Sequence, residues 1–214
     1  MVVCALFSCS ALVARAYQVT LESVSVPYEV ATISGDPQME QILLGELEGS
    51  PEMFEIVSET EFELTVEVRA VPTGTAGRPD FSGLIIRQKE KRGVEEVARL
   101  KANDTTWDTV TNGTTGLRYQ AGPFFSEKVP AGTYRIEVST PENTDKYLLV
   151  IGNTPVRLGY FATLGQIATT YQFYGLSTVR MFSSPYVHYP VGILVLIGLI
   201  ATTWYWQRKR NHHG

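Results

Sequence analysis

Glu59-Thr60-Glu61-Phe62-Glu63-Leu64-Thr65-Val66-Glu67-Val68-Arg69-Ala70 sets the fold class. Charged and apolar residues alternate: the odd positions are acidic apart from Thr65 and Arg69, and the even ones run Phe62, Leu64, Val66, Val68. In a strand, successive side chains point to opposite faces, so this pattern predicts a half-buried strand with its acidic side in water. Thr133–Val138 repeats it, with Tyr134, Ile136 and Val138 on one side and Thr133, Arg135 and Glu137 on the other. Tyr147–Ile151 is apolar at every position, which suits a central strand covered on both faces.

Working outward, further strands are expected over Tyr28–Ile33, Gln41–Leu47, Glu52–Val57, Leu84–Lys89, Val94–Lys101 and Phe124–Val129. Turn chemistry separates them at Gly35-Asp36-Pro37, Gly49-Ser50-Pro51, Pro72 to Pro79, Lys91-Arg92-Gly93, Gly122-Pro123 and Pro130-Ala131-Gly132. Many short strands without a long helical pattern predict an all-β domain, an antiparallel β-sandwich of jelly-roll kind, over Tyr17–Gly152. If the Leu84–Lys91 segment neighbours the Glu59–Arg69 strand, Arg87, Lys89 and Lys91 would face Glu59, Glu61, Glu63 and Glu67. Each such pair would contribute a few tenths of a kcal/mol, up to about 1.

After Gly152 the chain changes character. No charged residue occurs from Leu158 to Val179, and Tyr160, Leu164, Ile167, Tyr171 and Tyr174 fall on one face of a helix. A membrane-proximal helix and linker is therefore expected over residues 153–185, lying on the sandwich or at the lipid headgroups. Thr163, Thr169, Thr170 and Gln172 argue against a spanning helix here, since they are costly in lipid unless partnered. The next stretch, Tyr186–Gln207, does read as a spanning helix. It is apolar, with Tyr186 and Tyr189 at one end and Trp204, Tyr205 and Trp206 at the other, and it is followed by the basic tail Arg208–Gly214. Pro190 sits early in it, and the length needed for a bilayer places the helix start before that proline.

At the other end, Val2–Val13 is apolar and Ala14-Arg15-Ala16 has the small-x-small form of a cleavage site, so residues 1–16 read as a secretory signal peptide. An uncleaved anchor and a lipid-anchored Cys9 fit worse, because Phe7 and the short apolar run depart from the lipoprotein pattern. The expected product is a single-pass type I protein of the cell membrane. Its sandwich is extracytoplasmic and its basic tail cytoplasmic.

Composition removes several chemistries. Both cysteines, Cys4 and Cys9, lie in the signal stretch, and no histidine occurs from Tyr17 to Val187. A Ser-His-Asp or Cys-His site and a His/Cys zinc site are thereby excluded from the expected ectodomain. No phosphate-cradling glycine loop is present. Tyr17–Gly152 holds all 22 acidic residues against 12 Lys and Arg, a net charge of −10 that would repel nucleic acid. Asn103, Asp104, Asp108 and Asn112 could offer oxygens to Ca²⁺, but their spacing is not that of an EF-hand and turn formation explains them better. Asn103-Asp104-Thr105 and Asn112-Gly113-Thr114 are N-glycosylation sequons. No catalytic residue, cofactor or metal ligand is assigned.

Val129–Val138, followed by Asn143–Gly152 with its Lys146-Tyr147-Leu148-Leu149-Val150-Ile151-Gly152 ending, resembles the close of prepeptidase C-terminal-type domains. The shared pattern is a Gly-Thr-Tyr strand, a polar turn and a last strand ending in Gly. The resemblance implies a jelly-roll-like sandwich without catalytic function, in a secreted or surface protein. The overall layout is also similar to cargo receptors of the early secretory pathway, although their cysteine pair and charged coiled-coil stalk are missing here. The expected function is a non-catalytic, membrane-anchored binding or accessory module touching a partner protein or envelope glycan. The other expectation is an accessory subunit of a membrane complex docking through residues 158–206. Oligomeric state is left open.

Overall fold

The computed structural model describes residues 18–21, 29–72, 78–89 and 91–211. The expected signal peptide lies outside them. Eleven strands are described: β1 (Gln18–Leu21), β2 (Val30–Thr32), β3 (Gln41–Glu46), β4 (Glu52–Ser58), β5 (Phe62–Ala70), β6 (Ser82–Gln88), β7 (Val94–Leu100), β8 (Asp108–Thr111), β9 (Arg118–Val129), β10 (Gly132–Ser139) and β11 (Lys146–Ile151). They form a six-stranded sheet, β1-β3-β11-β5-β9-β8, and a five-stranded sheet, β2-β4-β10-β6-β7. Two helices follow, α1 (Tyr160–Phe173) and α2 (Pro185–Asn211).

The chain alternates between the sheets from β1 to β6. A strand that returns to its own sheet after one visit to the other runs in its original direction. Where two such strands become neighbours they are therefore parallel, as β1 is to β3 and β2 to β4 at the sheet edges. These two pairs are the departure from an antiparallel sandwich. Elsewhere β10 enters between β4 and β6, and β11 between β3 and β5, each antiparallel to both neighbours.

The alternation of β5 works as the pattern requires. Phe62, Leu64, Val66, Val68 and Ala70 are buried in the core between the sheets, with Phe54, Ile56, Ile85, Tyr134, Ile136 and Val138 from the facing sheet. β11 is buried from Tyr147 to Ile151. Tyr147, Leu149 and Ile151 enter that core, while Leu148 and Val150 join a second apolar cluster with Ile42, Leu44, Tyr119, Ile167 and Tyr171. The second cluster lies on the other face of the six-stranded sheet, and α1 covers it. Burying a side chain of this size stabilises by about 1.5–3 kcal/mol, so covering both faces of β3 and β11 adds substantially to the fold.

Three sequence expectations are corrected. The Glu59–Glu67 row and the Arg87 strand lie in different sheets, so they do not face one another. The neighbours of β5 are β11 and β9; on β9, Ser126 Oγ donates to Glu63 at 2.9 Å, and Glu67 pairs with Arg69 on its own strand. Second, Gly122-Pro123 is no turn: β9 runs through it. Between the pairs Glu67–Phe124 and Arg69–Ala121, Gly122 and Pro123 together oppose Val68 in a bulge. A bulge tolerates the missing N–H of Pro123, and a Cβ on Gly122 would lie 2.4 Å from the Trp107 ring. Third, the helix expected over Leu158–Val179 ends at Phe173. Gly175 takes a positive φ of 62°, its N–H bonds to Gln172 O at 2.9 Å, and Leu176 N–H bonds to Tyr171 O at 2.9 Å. That is a Schellman C-cap, which stops a helix where glycine supplies the left-handed residue.

α2 has 27 residues, about 40 Å at 1.5 Å per residue. Its Pro185–Lys209 portion is long and apolar enough to cross a membrane.

Candidate membrane-proximal surface

Side chains of the sandwich, α1 and α2 meet at one join. The join starts at the β8–β9 turn. Asn112 Oδ1 accepts from the N–H groups of Thr114 and Thr115, each at 2.9 Å, which curls the turn. Gly116 then adopts φ +72°, with Ser183 O only 2.3 Å from where a Cβ would sit. The turn thereby presses against a 3-10 segment, Thr178–Ser183, that links α1 to α2.

Hydrogen bonds fasten the contact. Ser184 Oγ donates to Thr114 O at 2.6 Å, and Ser184 is fully buried. The same oxygen accepts from Tyr186 N–H at 3.2 Å, so Ser184 is the N-cap of α2. Pro185 follows at the first helical position, where a missing N–H costs nothing. Tyr171 of α1 places its hydroxyl 3.0 Å from Thr115 O and 2.9 Å from Arg180 O. Burial pushes this phenol's pKa upward, which keeps its proton available to donate.

Pro190 creates a further need. Lacking an N–H, it leaves the carbonyl of Tyr186, four residues earlier, without its helical donor. Tyr160 of α1 supplies the replacement, its hydroxyl donating to Tyr186 O at 3.0 Å. His188 Nδ1 lies 3.2 Å from Phe182 O. The head of α2 is thus held from two sides, by α1 and by the 3-10 segment.

The inner face of α1 carries Ile167 and Tyr171 into the second core, with Leu164 and Tyr174 half-buried beside them. Thr163 and Thr170 are also buried, and each hydroxyl bonds back one turn, to Gly159 O and Gln166 O. Tyr160, on the same sequence stripe, turns instead to α2. Around this head the surface is apolar: Phe161 is 84% exposed, Val179 72% and Phe182 51%. The flanking charges, Arg157 and Arg180, are both basic and exposed.

The other candidates do not converge. Asn103 and Asp104 sit in a short 3-10 turn, Asp108 begins β8, and Asn112 is occupied with its own turn beyond the far end of that strand. Among the described residues no group of three or more His, Cys, Asp or Glu is placed to hold a metal. An open cleft at one end of the sandwich is lined by Phe81, Trp107, Arg78, Glu46 and Lys146. Its cations serve the fold: Arg78 donates to Ala102 O at 2.8 Å, and Lys146 reaches Glu46 at 3.2 Å and Phe173 O at 2.8 Å.

Sequence reasoning missed the Tyr160, Gly116 and Ser184 contacts. Pro190 does mark Tyr186 as a carbonyl in need of a donor, but its partner is 26 residues away and only the fold supplies it.

No protein-family model and no curated protein matches the chain. Among solved structures it is similar to the pre-peptidase C-terminal domain of a collagenase from Bacillus anthracis. The similarity is 12% identity over 58% of this chain and 95% of that one, with a TM-score of 0.37. It is a weak likeness in fold. The class that the structure itself defines is a two-sheet β-sandwich followed by a helix apolar and long enough to span a membrane.

Proposed function

We propose that the chain is a non-catalytic accessory module anchored in a membrane by α2. Its sandwich is held on the extracytoplasmic side, where it contacts a partner protein or an envelope polymer. The observation that carries this reading is the hydrogen-bonded join between sandwich and α2, which leaves no free linker between them. Such a join presents the sandwich at a fixed height and orientation. The basic residues Arg208, Lys209 and Arg210 after the span favour a cytoplasmic tail.

A second reading, an accessory subunit docking through residues 158–206, draws on the uncharged outer side of α1 and the bare apolar surface of α2. One experiment addresses both. The full chain, tagged at its C-terminus, is lightly cross-linked in its native membrane, solubilised in mild detergent and purified with its partners. Cross-links from sandwich strands to a protein or glycan are the expected result. Cross-links confined to 158–206 would favour the subunit. Hydrolytic activity abolished by substituting a pair of carboxylates would sink the non-catalytic reading.

A further inference from the structure

We infer that Phe161, Val179 and Phe182, with Arg157 and Arg180, form a collar that beds the sandwich into the phospholipid headgroup layer around the head of α2. The inference rests on the reading of α2 as a spanning helix and adds a second membrane contact made by the folded domain.

A hydrocarbon core of about 30 Å takes about 20 helical residues. Counted back from the aromatic cluster Trp204-Tyr205-Trp206, where Arg208 also stacks over Trp204, that length ends near Ser184–Tyr186. The first turns of α2 therefore lie at headgroup level. The collar is tied to those turns: Phe161 follows Tyr160, whose hydroxyl bonds Tyr186 O, and Phe182 O meets His188. Val179 and Phe182 stand three apart in a 3-10 segment, where residues i and i+3 eclipse, so both project from one side. Adjacent to a span, exposed aromatic and aliphatic side chains of this kind are suited to the headgroup–acyl boundary.

Charge points the same way. The sandwich is acidic, but no Asp or Glu follows Asp145, and the exposed charges flanking the collar are Arg157 and Arg180. Guanidinium groups match phosphate in geometry and charge. An acidic body above a basic, apolar collar is repelled by anionic lipid everywhere except at the collar.

The test uses the full chain with Cys4 and Cys9 changed to Ser, reconstituted in vesicles of phosphatidylcholine and phosphatidylglycerol. Nitroxide labels are placed singly through Phe161→Cys, Phe182→Cys, Val57→Cys and Ile197→Cys. Val57, on β4, is 56% exposed and serves as the water reference; Ile197 marks the span. Collision with oxygen and with a water-soluble nickel complex is measured at each. The expected result is several-fold lower nickel collision at 161 and 182 than at 57, with oxygen collision between those at 57 and 197. Adding Arg157→Glu and Arg180→Glu should move both labels toward water. Nickel collision at 161 and 182 equal to that at 57, with 197 still in lipid, would overturn the collar. So would shielding of both positions from both reagents, which would mean that a protein covers them. Water exposure at 197 would instead count against the span itself.

Discussion

At the residue scale, Glu52 and Tyr147 carry the clearest consequence. Glu52 is 6% exposed, and its carboxylate accepts the Tyr147 hydroxyl and the backbone N–H of Glu46. Gly45 leaves the room, since a Cβ there would overlap both side chains. Burial raises the Glu52 pKa, and the nearby Glu48 and Glu46 raise it further, while the two hydrogen bonds oppose this without cancelling it. A carboxyl raised in the folded state binds its proton more tightly there than when unfolded. Its stabilising contribution is complete below the unfolded value and is lost as pH rises through the folded one. Glu52→Gln removes that titration. Relative to the native chain, the variant should gain stability as pH rises from about 4 to neutrality, measured as the difference in Tm; a difference independent of pH would refute the assignment. A second residue prediction concerns the β8–β9 turn. Gly116→Ala must hold a left-handed residue against Ser183 O, at a cost of about 1–3 kcal/mol. Amide exchange at 178–184 should accelerate, while that of the β5 core stays as it is. The sequons also separate here: Asn103 is exposed, whereas Asn112 caps its turn and Thr114 is buried. In a host that glycosylates secreted chains, Asn103 is expected to carry the glycan and Asn112 to remain bare by mass spectrometry.

At the scale of elements, the strands most legible in the sequence were those with one wet face and one dry one, β5 and β10, together with β11, apolar from Tyr147 to Ile151. Their register follows from a pattern that a slip of one residue would invert. β8 was illegible because all four of its residues are exposed, so no alternation marks it. The first half of β9 was hidden by Gly122-Pro123, which signals a turn in isolation but becomes a bulge once Trp107 and Val68 are in place. The extent of α1 was misread because the uncharged stretch continues to Val179, while Gly175 ends the helix. The surface around the head of α2 was visible only as a composition, uncharged and aromatic, since the partners in its bonds are distant in sequence. α1 completes the six-stranded sheet, and that has a testable result. A chain ending at Gly152 would bare Ile42, Leu44, Leu148 and Val150, and should aggregate or bind a hydrophobic dye. One ending at Ser184 should remain monomeric by light scattering. Equal behaviour of the two would show that α1 contributes little to the second core.

At the scale of the whole molecule, the sandwich and α2 form a continuous bonded body. A pair of nitroxides at Val57 and Ile197 should give one narrow distance distribution in vesicles, and Gly116→Ala should broaden it; a broad distribution in the native chain would reveal a hinge. The bond from Tyr160 to the carbonyl opposite Pro190 adds a mechanical meaning. A domain on a slack tether absorbs a sideways pull by swinging. Here the pull has no slack to take up, because the tyrosine grips the helix within its first turn. With α2 in a bilayer, as proposed, a load on the sandwich would reach the bilayer as a torque on α2, and the folded domain would act on the membrane as a lever.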